Sequence, residues 1–272
     1  MSNMARRGGN GGGPIVTAIA IGTAAIAFGA GDVPASTVPA SRGDSGGAER
    51  QAVVVERART SPPTAVLLIG DSITQGWENE GSAVWRDRIG PLGALNLGVG
   101  GDRTEHVLWR LGQAPIGRLD PKAVVIMIGT NNIGHGRDDA APTLAGVRAV
   151  VGLVRAQAPT ATVILCGILP RGATMNAMRG DLLQVNQALA REFGATGESG
   201  PATGSASGPA AGSGGAVRFL DFGVRFIDAD GTVPTELMPD ALHLSPKGYA
   251  LWADAIMPDL IRATSPKPAT GG

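Results

Sequence analysis

Apolar residues along this chain fall into five short, nearly continuous runs separated by longer stretches of helical period. Ala65–Ile69 ends at Gly70, and Ala123–Ile128 and Thr162–Cys166 are equally uninterrupted. Ala94–Leu97 and Val217–Leu220 are weaker versions of the same pattern. Runs of this length without polar alternation predict strands buried on both faces. Between them, Leu144, Val147, Val151 and Val154 mark one helical face, and Leu182, Val185 and Leu189 a second. Tyr249, Trp252, Ile256 and Leu260 mark a third, with Ser245 and Pro246 placed to act as N-cap and first residue. Buried strands alternating with helices predict an α/β fold with a parallel sheet of about five strands covered on both faces.

Composition changes this picture only at the ends and in one insertion. Among 272 residues there are 42 Gly and 19 Pro, and they gather outside the periodic stretches. Arg6 and Arg7 precede a Gly run and an apolar stretch from Pro14 to Ala27, the layout of an export signal. Residues 1–30 are therefore expected to be a signal peptide or an N-terminal anchor, in a periplasmic or secreted protein, with a membrane-anchored or a cytoplasmic protein as the alternatives. Membrane contact is expected only if that segment stays uncleaved. Residues 31–60, rich in Gly, Ala, Ser and Pro, are expected to be a disordered linker. One compact domain is expected over 61–264, with a flexible insertion at 195–215 made only of Ala, Thr, Gly, Glu, Ser and Pro, and a short disordered tail over 265–272.

Charge and cysteine content exclude several classes. Lys plus Arg equals Asp plus Glu at 23 each, which argues against a nucleic-acid partner. The lone Cys166 allows no disulfide framework, and His106, His135 and His243 lack metal-ligand spacing. Cys166 is expected to be an inert core thiol, and His106 to lie on a surface helix. His135 is expected to be structural or solvated. Trp77 fits either a substrate platform or simple packing.

In a parallel sheet, sites form at the carboxyl ends of strands. Here those ends carry Gly70-Asp71-Ser72-Ile73-Thr74, Gly98-Val99-Gly100-Gly101-Asp102 and Gly129-Thr130-Asn131-Asn132. Asp240-Ala241-Leu242-His243 precedes the last helix. Singly each is weak: Ser72 could cap a helix, Asn131 could close a turn, and His243 could be structural. Together they supply acyl transfer. Ser72 is a nucleophile if His243 takes its proton, and Asp240 can orient that imidazole. The Ser72 and Gly101 amides and the Asn131 side chain can stabilise an oxyanion. Neither a metal nor an organic cofactor is needed.

These four blocks resemble the SGNH, or GDSL, hydrolase superfamily. The resemblance implies a three-layer α/β/α flavodoxin-like fold. It implies Ser72 as nucleophile, Gly101 and Asn131 in the oxyanion hole, and Asp240 and His243 as the remaining pair. Ile73 stands where the family usually has Leu. The runs Asn96 to Leu111, Leu169-Pro170-Arg171-Gly172 and Val185-Asn186-Gln187 are similar to the catalytic subunits of intracellular platelet-activating factor acetylhydrolase. The likeness spans about residues 64–262.

The expected activity is hydrolysis of a short acyl ester, acetyl first, carried by a small molecule or a polysaccharide. Ile73, Thr130 and Leu242 each adjoin a site residue and could wall a small acyl pocket; core packing is the other reading. The export-like start favours carbohydrate acetyl esters. A phospholipid acetylhydrolase, lysophospholipase or thioesterase of the same superfamily is the alternative, and a non-catalytic polysaccharide-binding module on the same scaffold is another. The Gly-x-Ser-x-Gly elbow of α/β-hydrolases is absent, since Thr74 occupies its last position. Arg103, Arg110 and Arg171 could meet an anionic leaving group, or form solvated faces and structural pairs. A homodimer is left open.

Overall fold

A computed structural model describes residues 33–194 and 215–265. The export-like segment 1–30 lies outside the described residues, as do 195–214 of the insertion and 266–272 of the tail.

All five apolar runs are strands: β1 Val66–Gly70, β2 Ala94–Gly98, β3 Ala123–Met127, β4 Thr162–Cys166 and β5 Val217–Leu220. They form one parallel sheet in the order β2-β1-β3-β4-β5. The helices are α1 Ser45–Thr60, α2 Ser72–Gln75, α3 Ser82–Val84, α4 Thr104–Gln113, α5 Thr130–Gly134, α6 Ala140–Gln157, α7 Ala177–Phe193 and α8 Pro246–Thr264. The α/β expectation holds in its strands, their direction and its layering.

Strand side chains alternate between two cores, as the period of two requires. Leu67, Ile69, Val124, Ile126, Val163 and Leu165 face α1, α4, α6 and α7. Val66, Leu68, Val125, Met127, Ile164 and Cys166 face the other way, against Trp77, Tyr249, Trp252, Ile256 and Leu260. The inner strands β1, β3 and β4 are dry on both faces, which is why their sequences are nearly unbroken apolar runs, while the edge strands β2 and β5 are partly exposed and carry Asn96 and Arg218. Among the described residues, no helix is long and apolar enough to cross a membrane.

The stretch expected to be a disordered linker is in large part ordered. Ala35–Thr37 form a 3-10 turn held by Ser36, whose Oγ donates to the Pro142 carbonyl and whose carbonyl accepts from Thr104 Oγ1. Ser45–Thr60 then forms α1, with Asp44 as N-cap accepting from the Gly47 amide. Val54, Val55 and Ala58 supply a narrow apolar stripe that is buried on the sheet side. The flanking Gly, Glu and Arg residues dilute that stripe, so composition conceals it. Burial of three side chains and a capped first turn favour a helix that propensity alone does not support.

The strand order fixes where a site can form. The chain leaves β1 towards β2 on one side and β3 lies on the other, so loops after these three strands meet around the end of β1. Such a switch point opens a crevice beyond the carboxyl ends of the strands.

Candidate functional site

Ser72 is the first residue of α2, immediately beyond β1. Asp71 caps this short helix, its Oδ1 accepting from the Ile73 amide at 3.0 Å. Asn96 binds it from β2: its Nδ2 donates to the Thr74 carbonyl at 2.9 Å while its Oδ1 accepts from the Gly98 amide. Ser72 is thereby seated on hydrogen-bonded backbone at the centre of the switch point.

The loop before α8 brings His243 to Ser72. His243 Nε2 is 2.9 Å from Ser72 Oγ, and His243 Nδ1 is 2.6 Å from Asp240 Oδ2. The other Asp240 oxygen accepts from the Leu242 and His243 amides. That arrangement needs a sharp reversal, made by Ala241 at φ 55°. A left-handed alanine costs about 1–2 kcal/mol, offset here by three bonds to one carboxylate. Burial tends to raise the Asp240 pKa, but the hydrogen bonds from His243 and Leu242 outweigh it and hold the carboxyl below its usual range. The His243 and Asp240 side chains are 47% and 56% exposed, so the pair stands at an open cleft. A groove of about 560 Å³ between α1 and α4 touches Arg42 and Trp109 but none of Ser72, Asp240 and His243.

The remaining two blocks close on the opposite side. Gly101 has φ +75°, a left-handed turn that glycine adopts without strain. Asn131 lies in the first turn of α5, buried, and donates from Nδ2 to the Asp102 carbonyl at 3.0 Å. Gly129, at φ +125°, turns the chain from β3 into that helix. An amide nitrogen carries two hydrogens, so Asn131 keeps a second donor.

Behind this turn sits a buried charge pair. Asp102 Oδ2 accepts from Arg110 Nε at 3.0 Å, and neither side chain is exposed by more than 2%. Arg110 Nη2 also donates to the Gly70 carbonyl at 3.0 Å. Burial pushes the Asp102 carboxyl up and the Arg110 guanidinium down, and each partner opposes the other's shift. Arg110 is therefore a structural cation. Arg103 pairs with Glu105 at 2.6 Å, while Arg171 Nη1 approaches the Thr130 carbonyl at 3.4 Å.

The three residues expected beside an acyl group are placed differently from one another. Ile73 packs in the core with Trp77 and Trp252. Thr130 is buried under Arg171, and Leu242 is half-buried beside His243. Trp77 is packing: it is 1% exposed, with ring centroids of Tyr249 and Trp252 at 4.7 and 5.0 Å. His135 is exposed. Cys166 is buried, and burial pushes its thiol up to about 12.

His106 corrects the sequence reading. It is 4% exposed, and its Nδ1 accepts from the Arg103 amide at 3.0 Å. Burial first, then the neighbouring Arg103 charge, lowers its pKa to about 4. Its helix packs inward because the segment from Val33 to Asp44 covers it: the Ala40 amide donates to the Glu105 carbonyl. Sequence periodicity could not show that cover. Asn96, Arg42, whose Nη1 donates to the Gly100 carbonyl, and Tyr249, whose hydroxyl donates to the Ile73 carbonyl, also escaped the sequence reading in these roles; only Asn96 lay within a motif run.

Residues 68–200 match the GDSL-like lipase/acylhydrolase family model. The chain is 36% identical to platelet-activating factor acetylhydrolase IB subunit alpha1 of Bos taurus, over 76% of this chain and 79% of that one. It is 38% identical to the Homo sapiens protein of the same name, over 72% and 75%. A GDSL-like lipase from Bacteroides thetaiotaomicron superposes with a TM-score of 0.58 at 19% identity, covering 79% of this chain and 97% of that structure. A carbohydrate esterase family 3 protein from Talaromyces cellulolyticus gives 0.51 at 20% identity, covering 74% and 98%.

Proposed function

We propose, for a chain that belongs to the GDSL-like lipase/acylhydrolase family and is a carboxylic ester hydrolase, that Ser72, His243 and Asp240 remove a short acyl group, acetyl first, through an acyl-enzyme. The observation that carries this reading is the 2.9 Å contact between His243 Nε2 and Ser72 Oγ, with Asp240 on the far side of the ring.

The steps follow from the geometry. Nε2 of neutral His243 takes the Ser72 proton as Oγ attacks the ester carbonyl. Asp240 holds Nδ1–H and stabilises the imidazolium. The carbonyl oxygen becomes an oxyanion facing the Ser72 and Gly101 amides and the free Asn131 N–H. Collapse expels the alcohol, which receives the proton from Nε2. Water then gives a proton to His243 Nε2 and attacks the acyl carbonyl; collapse releases the acid, and the departing Ser72 Oγ takes that proton back from Nε2.

One finding supports a small acyl group: the relatives at 36–38% identity are named acetylhydrolases. For the alcohol, the export-like start favours carbohydrate acetyl esters, while those relatives' names favour platelet-activating factor. The test compares the full chain and Ser72→Ala on p-nitrophenyl acetate, butyrate and octanoate, then on acetylated xylan and platelet-activating factor. Acetate preference lost in Ser72→Ala is expected. Faster octanoate hydrolysis would refute the short-acyl reading, and undiminished activity in Ser72→Ala would refute the acyl-enzyme.

A further inference from the structure

We infer that Arg42, from the segment preceding α1, is a positioning residue for the oxyanion hole: it grips the carbonyl of Gly100 and thereby aims and polarises the N–H of Gly101. The inference rests on the proposed role of that amide. It concerns a residue outside the 68–200 stretch that the family model matches.

The Gly100 carbonyl and the Gly101 N–H belong to one peptide unit. In a planar trans peptide they point in opposite directions. A donor that fixes the carbonyl therefore fixes the direction of the N–H. Arg42 Nη1 makes that contact at 2.5 Å. The donor is charged, so it also draws electron density through the amide and strengthens the N–H as a donor. The same peptide precedes the φ +75° turn of Gly101, and it needs an anchor because glycine itself imposes none.

Arg42 is held on every side for this contact. Its backbone amide donates to Gln51 Oε1 at 3.0 Å, and Gln51 is buried in α1. Its Nε donates to Asp44 Oδ1 at 2.7 Å, and Asp44 is itself fixed as the cap of α1. Nη1 lies 3.4 Å from Asp102 Oδ1, the carboxylate that also pairs with Arg110. On the far side of the turn, Gln75 Oε1 accepts from the Gly100 amide at 2.7 Å. The guanidinium packs so closely on Gly101 that a Cβ there would stand 2.9 Å from Nη1.

The segment has other attachments, so loss of the guanidinium should not release it. Ser36, Thr104, Ala40 and the Arg42 amide each retain their bonds. The test uses the full chain with Arg42→Gln and Arg42→Lys on p-nitrophenyl acetate. It reads kcat, KM, thermal stability and inhibition by phenyl trifluoromethyl ketone, which adds to the serine and places an oxyanion in the hole. Deleting a donor outright costs 10²–10³; a donor kept but unaimed should cost about tenfold. Arg42→Gln should lower kcat about tenfold and weaken the ketone by the same factor, with KM within about twofold. Arg42→Lys, which keeps one charged donor, should recover part of both losses. Unchanged kcat and ketone affinity would overturn the inference. So would a fall in kcat that tracks lost stability while ketone affinity stays constant. A wild-type enzyme that the ketone fails to inhibit, or an active Ser72→Ala, would instead remove the acyl-enzyme reading beneath it.

Discussion

The hydroxyl of Tyr249 in α8 donates a 2.7 Å hydrogen bond to the carbonyl of Ile73, the residue that follows Ser72. Tyr249 is 2% exposed, and burial first, then the charges of Asp71 and Glu80, raise its pKa, so the phenol stays a donor. The last helix thus braces the first turn carrying the proposed nucleophile. Tyr249→Phe leaves the Ile73 carbonyl without this donor and should cost about 1–2 kcal/mol. For a domain of this size that is a fall in Tm of roughly 2–8 °C, measurable by calorimetry. A Tm unchanged within 1 °C would mean that the bond contributes nothing net.

The Asp102–Arg110 pair predicts strong non-additivity. Arg110→Met leaves a buried carboxylate whose remaining near neighbours among the described residues are Arg42 at 3.4 Å and the buried His106 imidazole at 3.9 Å, and should destabilise by about 3–5 kcal/mol. Asp102→Asn with Arg110→Met removes both charges and should cost less than the two single losses added. Denaturant unfolding of all three variants checks this; additive losses would show that the pair is not coupled.

Asn131 carries the next prediction. Its Nδ2 already serves the Asp102 carbonyl, so the residue links the turn after β2 to the one after β3. Asn131→Ala should lower kcat by roughly 10²–10³ with little change in KM, as for other lost oxyanion donors. A loss confined to KM would assign Asn131 to substrate binding instead.

The meeting of Ser72, His243 and Asp240 was legible because these residues lie in short, local blocks at strand ends and before the last helix. Asp240 reaches His243 across three residues, and apolar runs, unbroken for β1 and β3 and weaker for β2, marked the strands that position the rest. What the sequence hid was long-range cover. Arg42 meets Gly100 58 residues away through a backbone carbonyl, a partner that no side-chain pattern reports. The stripe of Val54, Val55 and Ala58 is too narrow to stand out among Glu and Arg. His106 sits in a helix whose outer face is covered by that same segment, so a reading that made the segment a linker also made His106 exposed. One error in organisation produced both.

Asp71 gives a prediction in pH. It is 1% exposed, its Oδ1 caps α2, and among the described residues Oδ2 has no hydrogen-bond partner. Burial, reinforced by the nearby Asp102 charge, raises its pKa from 3.8 to about 7, against the opposing bond from the Ile73 amide. The folded state therefore holds a proton that the unfolded chain has already released. Stability depends on pH through that difference, so Asp71 makes the protein less stable as pH rises from about 4 to 7, with no further change above. Between pH 5.5 and 8.5 the loss should be about 2 kcal/mol. Asp71→Asn keeps the acceptor for Ile73 and cannot ionise, so it should lack this decline. Measured against wild type by urea unfolding, the variant should gain about 2 kcal/mol in relative stability over that interval, whatever its offset at pH 5.5. Parallel profiles would mean that the carboxylate is already charged and solvated when folded.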